Sequence, residues 1–292
     1  MKKASYFLFL LLPFCSFAQQ ANEIYLFDMV VKKDKITLSN PQNITNHKGY
    51  DNQPFFHPTK PIIYYTSEVD SNNTEIKYYN YKTKETRYHT HTPQLREYSP
   101  TVTPDGNYIS CIIQRPNGQQ DLCMYHIQHA GHTAITEIDN LKVGYHCWID
   151  KSNLLLFILG DSSNDLHYYN INTKKDTILA KKIGRALHKI PNKNAMSFVD
   201  KSDDSAWWIT KLNLEDNSQR RISETLTQNE DLAWLNDGRI LAGDGNNIYY
   251  WGGAKEDPIR EVSIIGDTSM LKKITRIALN NKNNKVAIVV GE

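Results

Sequence analysis

The sequence predicts an all-β protein, a six-bladed β-propeller of four-stranded antiparallel blades. Three observations carry that prediction. First, six tight turns recur at near-constant spacing, at 56–60, 102–106, 148–152, 189–193, 234–238 and 278–282. Counted from the third residue of each turn, the intervals are 46, 46, 41, 45 and 44, a period that suits one β-meander per repeat. Second, helical periodicity is nearly absent, while short apolar segments alternate with Pro, Gly, Asn and Asp turns. Third, the sixth repeat has only two strands, at 274–279 and 285–290. Two unassigned strands, at 23–29 and 35–39, stand before the first full repeat. The two ends therefore complete one blade together, which would close the ring and remove its open edges.

The second repeat is the clearest. Strands at 98–103, 108–114, 121–128 and 133–138 are separated by Pro104-Asp105-Gly106-Asn107, by Pro116-Asn117-Gly118 and by Ala130-Gly131. Gly106 suits the first turn because it tolerates positive φ. The first repeat has strands at 53–57, 61–67, 75–81 and 85–90, and Ile62 to Tyr65 form the continuous apolar run expected of a strand covered on both faces. The third, fourth and fifth repeats follow the same order, with first strands at 145–149, 185–190 and 231–235. The divisions are blade 1 at 45–92, blade 2 at 93–140, blade 3 at 141–182, blade 4 at 183–225 and blade 5 at 226–270. Blade 6 combines inner strands from 271–292 with outer strands from 19–44. Aromatic residues recur on equivalent third strands, at Tyr78-Tyr79, Trp207-Trp208 and Tyr249-Tyr250-Trp251, which fits packing between blades.

Residues 1–18 read as a secretory signal peptide. Lys2 and Lys3 precede an apolar run too short to span a bilayer, and Ser16-Phe17-Ala18 is a small-x-small cleavage motif. The expected location is therefore the periplasm or outside the cell, after cleavage near Ala18. Net charge is +2, with 34 Lys+Arg against 32 Asp+Glu, and no basic block stands out. Nucleic acid is an unfavourable partner on that balance, and no later segment is apolar enough to span a membrane.

The motif at Glu97-Tyr98-Ser99-Pro100-Thr101-Val102-Thr103-Pro104-Asp105-Gly106-Asn107-Tyr108-Ile109 resembles the repeat of the TolB-like, WD-type β-propellers. Tyr50-Asp51-Asn52-Gln53-Pro54-Phe55-Phe56-His57-Pro58 and Asn236-Asp237-Gly238-Arg239-Ile240 are weaker copies. The repeat pattern covers the whole mature chain, which lacks the α/β domain that TolB itself carries before its propeller. The resemblance implies the fold. It leaves function open, because such repeats serve in binding proteins, in enzymes and as peptidase gating domains.

The mouth of the central channel is the natural site in this architecture. The register places Asp51, Asn52, Glu97, Tyr98, Tyr145, His146, Arg185, Glu230, Asp231 and Arg276 there as candidate ligand-binding residues. No Gly-x-Ser-x-Gly elbow, catalytic cysteine frame or phosphate-binding loop is present. The expected function is recognition of a protein or peptide, or a glycan, in the cell envelope. The alternative is a carbohydrate lyase or hydrolase using His146, Tyr145 and Arg185, in which a histidine would abstract a proton. No cofactor is expected. His89 and His91, and His126, His129 and His132, lack cysteine or carboxylate at ligand spacing, so no metal is expected either. Cys111 and Cys123 could bridge across adjacent strands or remain small buried thiols.

Overall fold

The computed structural model describes residues 21–70, 73–128, 134–226, 229–252 and 257–291. The segment 1–18 that was expected to be a signal peptide, His129 and His132 lie outside the described residues. Within them the chain is all β, and no helix is long and apolar enough to cross a membrane. The chain opens with β1 (Asn22–Val31) and β2 (Ile36–Asn43), then β3 (Asp51–Phe56), β4 (Ile62–Asp70), β5 (Asn73–Asn80) and β6 (Glu85–Tyr88). The next meander is β7 (Arg96–Val102), β8 (Tyr108–Gln114), β9 (Gln120–His126) and β10 (Ile135–Ile138). It is followed by β11 (Val143–Trp148), β12 (Asn153–Ile158), β13 (Asp165–Asn170) and β14 (Lys175–Ala180). Then come β15 (His188–Lys189), β16 (Ala195–Asp200), β17 (Trp208–Asn213) and β18 (Gln219–Glu224). The last elements are β19 (Ala233–Trp234), β20 (Ile240–Asp244), β21 (Asn247–Trp251), β22 (Arg260–Glu261), β23 (Ser263–Ile264), β24 (Ile274–Leu279) and β25 (Lys285–Gly291).

These strands form a propeller-like set of sheets. Three are separate four-stranded antiparallel meanders, β11 to β14, β15 to β18 and β19 to β22. The expectation of six separate four-stranded sheets is not met. The strands from β3 to β10 are joined in one eight-stranded sheet, because Thr74 on β5 forms a parallel bridge with Arg96 on β7. Thr74 Oγ1 pins that junction, accepting from the Glu97 amide at 2.9 Å and donating to the Glu97 carbonyl at 3.0 Å. The remaining sheet has five strands in the order β23-β2-β1-β25-β24, with β23 added parallel to β2. First strands β15 and β19 are shorter than expected, two residues each where 185–190 and 231–235 were predicted. An innermost strand has a ladder partner on one side only, so its ends fray sooner.

The closing sheet joins both ends of the chain. β1 runs antiparallel to β25 from Asn22 opposite Gly291 to Asp28 opposite Lys285. Period-2 geometry sorts its side chains into two cores. Ile24, Leu26, Ala287 and Val289 pack with Phe56, Ile63, Tyr65 and Tyr79 of the following meander. Phe27, Met29, Val286, Ile288 and Val290 pack with Leu235, Leu241, Ile248 and Tyr250 of the preceding one. Each fully buried side chain of this size contributes about 1.5–3 kcal/mol of hydrophobic free energy. A sheet that is apolar on both faces can only be stable between two neighbours.

Cys111 and Cys123 sit directly opposite each other on β8 and β9, and both are free, buried thiols. Burial raises both thiols, Cys123 to about 11, so neither forms a reactive thiolate.

Glu97 is displaced from its predicted place at the channel mouth. On β7 it alternates with Arg96 and Tyr98, and the pleat turns it into the join between β5 and β7, where it is fully buried beside the buried Glu75. Thr90 Oγ1 accepts the Ile76 amide at 2.8 Å and contacts Glu75 Oε2 at 2.8 Å and Glu97 Oε2 more closely. One hydroxyl has one proton, so it can donate to only one of those carboxyls. The other must hold a proton of its own. Burial pushes Glu97 up to about 7, partly offset by hydrogen bonds from Thr90 and Tyr125 and reinforced by the charge of Glu75. A carboxyl raised above its unfolded value of 4.5 stabilises the fold fully below that value. The contribution then declines as pH rises from 4.5 toward 7, by a few kcal/mol at roughly 1.4 kcal/mol per pH unit. Glu97→Gln should therefore flatten the fall in melting temperature between pH 5 and pH 8, measured by circular dichroism. Parallel pH profiles for the two proteins would refute the shared proton.

Candidate ligand site in the central channel

The innermost strands β3, β7, β11, β15, β19 and β24 all contribute to one cavity of about 420 Å³. At one end it meets the turns that close these strands. Those turns are tied by backbone-directed asparagines: Asn192 Nδ2 donates to the Asn236 carbonyl at 2.9 Å, and Asn236 Nδ2 to the Asn281 carbonyl at 2.7 Å. Asn281 Nδ2 then donates to the Pro58 carbonyl at 3.0 Å. At the other end, where the chain enters the innermost strands, the wall is charged and aromatic.

Two innermost strands share a local device 46 residues apart. Gln53 and Ser99 both have positive φ, at 58° and 54°, and each precedes a proline. The ladder shifts register there, between Asn52 and Phe55 and between Tyr98 and Thr101. Proline has no amide to give the ladder, so a bulge forms and re-aims the flanking side chains. Gln53 Oε1 accordingly accepts the Ser99 amide at 2.7 Å and the Thr66 hydroxyl at 2.9 Å, linking the first and second meanders beside the channel.

Arg276 on β24 is the most enclosed cation of the wall. Its Nε donates to Asn52 Oδ1 at 3.2 Å, its Nη1 lies 3.6 Å from Asp231 Oδ2, and its guanidinium sits over the Tyr145 ring at 5.4 Å. Burial alone would lower its pKa, but Asp231, Tyr145 and Tyr50 outweigh it and hold the cation charged. Asp231 is itself fixed, its Oδ1 accepting the Ile277 amide at 2.9 Å. Arg185 lies beside this pair. Its Nη2 donates to the Thr275 carbonyl at 3.1 Å and its backbone amide to Glu230 Oε2 at 3.2 Å. Lys201 Nζ shares that Glu230 oxygen at 3.5 Å. Gly184 makes the approach possible, since a Cβ there would lie 2.4 Å from Glu230 Oε2.

Of the ten residues predicted at the mouth, Tyr145, His146, Arg185, Asp231 and Arg276 line the cavity. Asn52 and Glu230 reach it indirectly, by holding the two arginines. Tyr98 meets Tyr50 edge to face, with ring centroids 6.4 Å apart. Asp51 is buried away from the cavity with its Oδ2 3.0 Å from His47 Nδ1, and burial raises its pKa. Glu97 lies in the sheet junction described above. The cavity also uses Gln53, Ser99, His188 and Lys189, which the predicted set lacks. The repeated residue-proline pairs at 53–54 and 99–100 were the available signal for two of them.

The His146 ring has one hydrogen-bond partner, and its Nδ1 is buried without one. Its Nε2 lies 2.7 Å from Ser110 Oγ, which also accepts Trp148 Nε1–H at 2.8 Å and donates to the Thr101 carbonyl at 3.1 Å. His146 and Trp148 share a face of β11, so both reach the adjacent sheet, while Tyr145 turns the other way against Phe157. Burial lowers His146 to about 3, so the ring is neutral at ordinary pH. Among the described residues no group of three or more His, Cys, Asp or Glu could hold a metal ion.

The fold is shared with solved structures. The chain is similar to a protein described as a TolB from Agrobacterium tumefaciens, with a TM-score of 0.69 and 12% identity over 94% of this chain and 99% of that one. The TolB of Acinetobacter baumannii gives a TM-score of 0.60 at 11% identity, covering 94% of this chain and 65% of that one. An oligogalacturonate lyase in complex with manganese gives 0.60 at 10% identity, covering 88% and 83%. The fold is a TolB-like β-propeller. No protein-family model matches the chain, and no curated protein does.

The Ser110 hydroxyl makes its own test possible. Ser110→Ala would orphan the Trp148 indole N–H and His146 Nε2 in a buried site. Unsatisfied buried groups cost about 1–3 kcal/mol, so chemical denaturation should show a loss of that order.

Proposed function

We propose that the chain is an exported recognition module that binds a protein or peptide partner in its central channel. In this reading residues 1–18 are removed on export, and residues 19–292 form one six-bladed ring. The eight-stranded sheet counts as two blades, 45–92 and 93–140. Blades 3, 4 and 5 span 141–182, 183–225 and 226–270, and residues 19–44 and 271–292 make the sixth.

The observation that carries the reading is the axial cavity itself. Every innermost strand reaches it, and its lining combines Pro, Phe, Leu, Ala and Trp side chains with charged and hydrogen-bonding groups. Such a lining accommodates aliphatic and aromatic side chains with a few oriented polar contacts, the usual composition of a binding pocket. A carbohydrate-lyase reading with His146, Tyr145 and Arg185 is the alternative, favoured by the likeness to oligogalacturonate lyase. It asks His146 to take a proton, whereas that ring is buried, bonded to Ser110 and weakly basic.

Immobilised protein incubated with cell-envelope extract should retain a partner. Thr101→Trp and Ala278→Trp, which enlarge two cavity-lining residues, should lose at least tenfold of that retention while keeping a wild-type melting temperature. Wild-type protein that retains nothing, yet cleaves polyuronate, would overturn the proposal in favour of the enzyme.

A further inference from the structure

Building on the recognition reading above, we propose that the channel seats a carboxylate of an acidic peptide segment against the Arg185 guanidinium, with Arg276 beside it. Four charged side chains line the cavity: Arg185, Lys189 and Arg276 against Asp231 alone, three positive and one negative. The chain as a whole is nearly balanced, with 34 basic and 32 acidic residues. A narrow opening with low-dielectric walls concentrates such a local excess and attracts anions.

The guanidinium of Arg185 is incompletely hydrogen-bonded by the protein. Its Nε is buried and has no hydrogen-bond partner, the nearest acid being Glu230 Oε1 at 3.6 Å. Nη2 gives one hydrogen to the Thr275 carbonyl and carries a second. With Nε shielded, the second Nη2 hydrogen and Nη1 form the end-on fork that a carboxylate meets through both oxygens. Glu230 cannot take that role, because it stands outside the cavity lining and also serves Lys201 and the Arg185 amide. Arg276 is oriented by Asn52 and Asp231, so it adds field while Arg185 supplies the contacts. Across the channel on β7, Ser99 Oγ is buried and also unpartnered, a further donor aimed at no group of the protein.

The walls decide between possible carriers of the carboxylate. Phe55, Leu187, Trp234 and Leu279 line the same cavity. A sugar hydroxyl buried against these four would be left without a partner, a costly burial, whereas they suit the side chains that flank an acidic residue in a peptide.

An array of randomised pentapeptides, one half blocked at both ends and the other with a free C-terminal carboxylate, tests the proposal on the full mature chain. Bound peptides should be enriched in Asp and Glu, or confined to the set with the free terminus, which tells a side-chain from a terminal carboxylate. In solution, followed by tryptophan emission, changing that carboxylate to its amide should weaken binding at least tenfold. Arg185→Met should lose the same tenfold for the acid peptide and nothing for the amide. The ligand-side change needs no variant, so it stands even where Arg185→Met does not fold. Equal binding of acid and amide peptides by the wild type would overturn the carboxylate while leaving recognition intact. Binding of no peptide at all would overturn both. Trigalacturonate binding tenfold more tightly than the best acidic peptide would overturn the choice of a peptide.

Discussion

The antiparallel ladder between β1 and β25 is the constraint on which the rest depends. It pairs residues 257 to 269 positions apart, and Asn22 Nδ2 reaches the Val290 carbonyl across a separation of 268. Without it, the hairpin of β24 and β25 would expose two apolar faces and an open edge, and the first meander would lose Ile24, Leu26, Ala287 and Val289 from its core. The axial cavity would lose β24 and with it Arg276. So the pairing of the two ends is at once the main long-range closure of the fold and the condition for the channel. Forming it requires most of the chain to be ordered first, which places it late in folding.

Between neighbouring sheets, apolar burial supplies most of the attraction but does not specify how one sheet sits on the next. Directional contacts do that. Trp148 Nε1 donates to Ser110 of the preceding meander, and Trp234 Nε1 donates to Ser197, each at 2.8 Å. These are the same position in two repeats, an indole at the end of an innermost strand and a serine on the strand beside the previous channel wall. The asparagine links among the turns add a second tie at the opposite end of the strands. An unmatched indole or carbonyl in a buried seam costs more than a matched one contributes. A sheet rotated out of phase would therefore leave several such groups orphaned.

Much of this was legible in the sequence, for a physical reason. Turn residues and period-2 alternation are local properties, so the meanders and the split closing sheet could be read from spacing alone. What spacing could not show was where a side chain points once strands twist and bulge. Asp51 and Glu97 each stand two residues before a channel-lining position, Gln53 and Ser99, and the bulge there leaves both in buried seams. The merging of the first two meanders was likewise hidden, because it depends on one parallel bridge at Thr74 and its hydroxyl's bonds to Glu97. His146 lines the channel, yet its hydrogen bonding is set by Ser110, 36 residues earlier and on another sheet. No linear pattern encodes that meeting.

The charged end of the channel shows how a fold can tolerate cations so near its axis. Arg276 is nearly enclosed, and alone it would be expensive to bury; Asp231, Asn52 and the Tyr145 face share that cost. Arg185 is handled differently. Its backbone amide and Thr275 fix the residue, while Glu230 stands 3.6 Å off and divides its charge with Lys201. One arginine is thus satisfied by the protein and its neighbour is positioned but left incomplete. Stability alone gives no reason for that difference, since a slightly nearer Glu230 carboxylate would complete the Nε bond. An incomplete donor set beside a complete one, on an axial cavity, is the arrangement expected where part of the hydrogen bonding is supplied by something that arrives from outside.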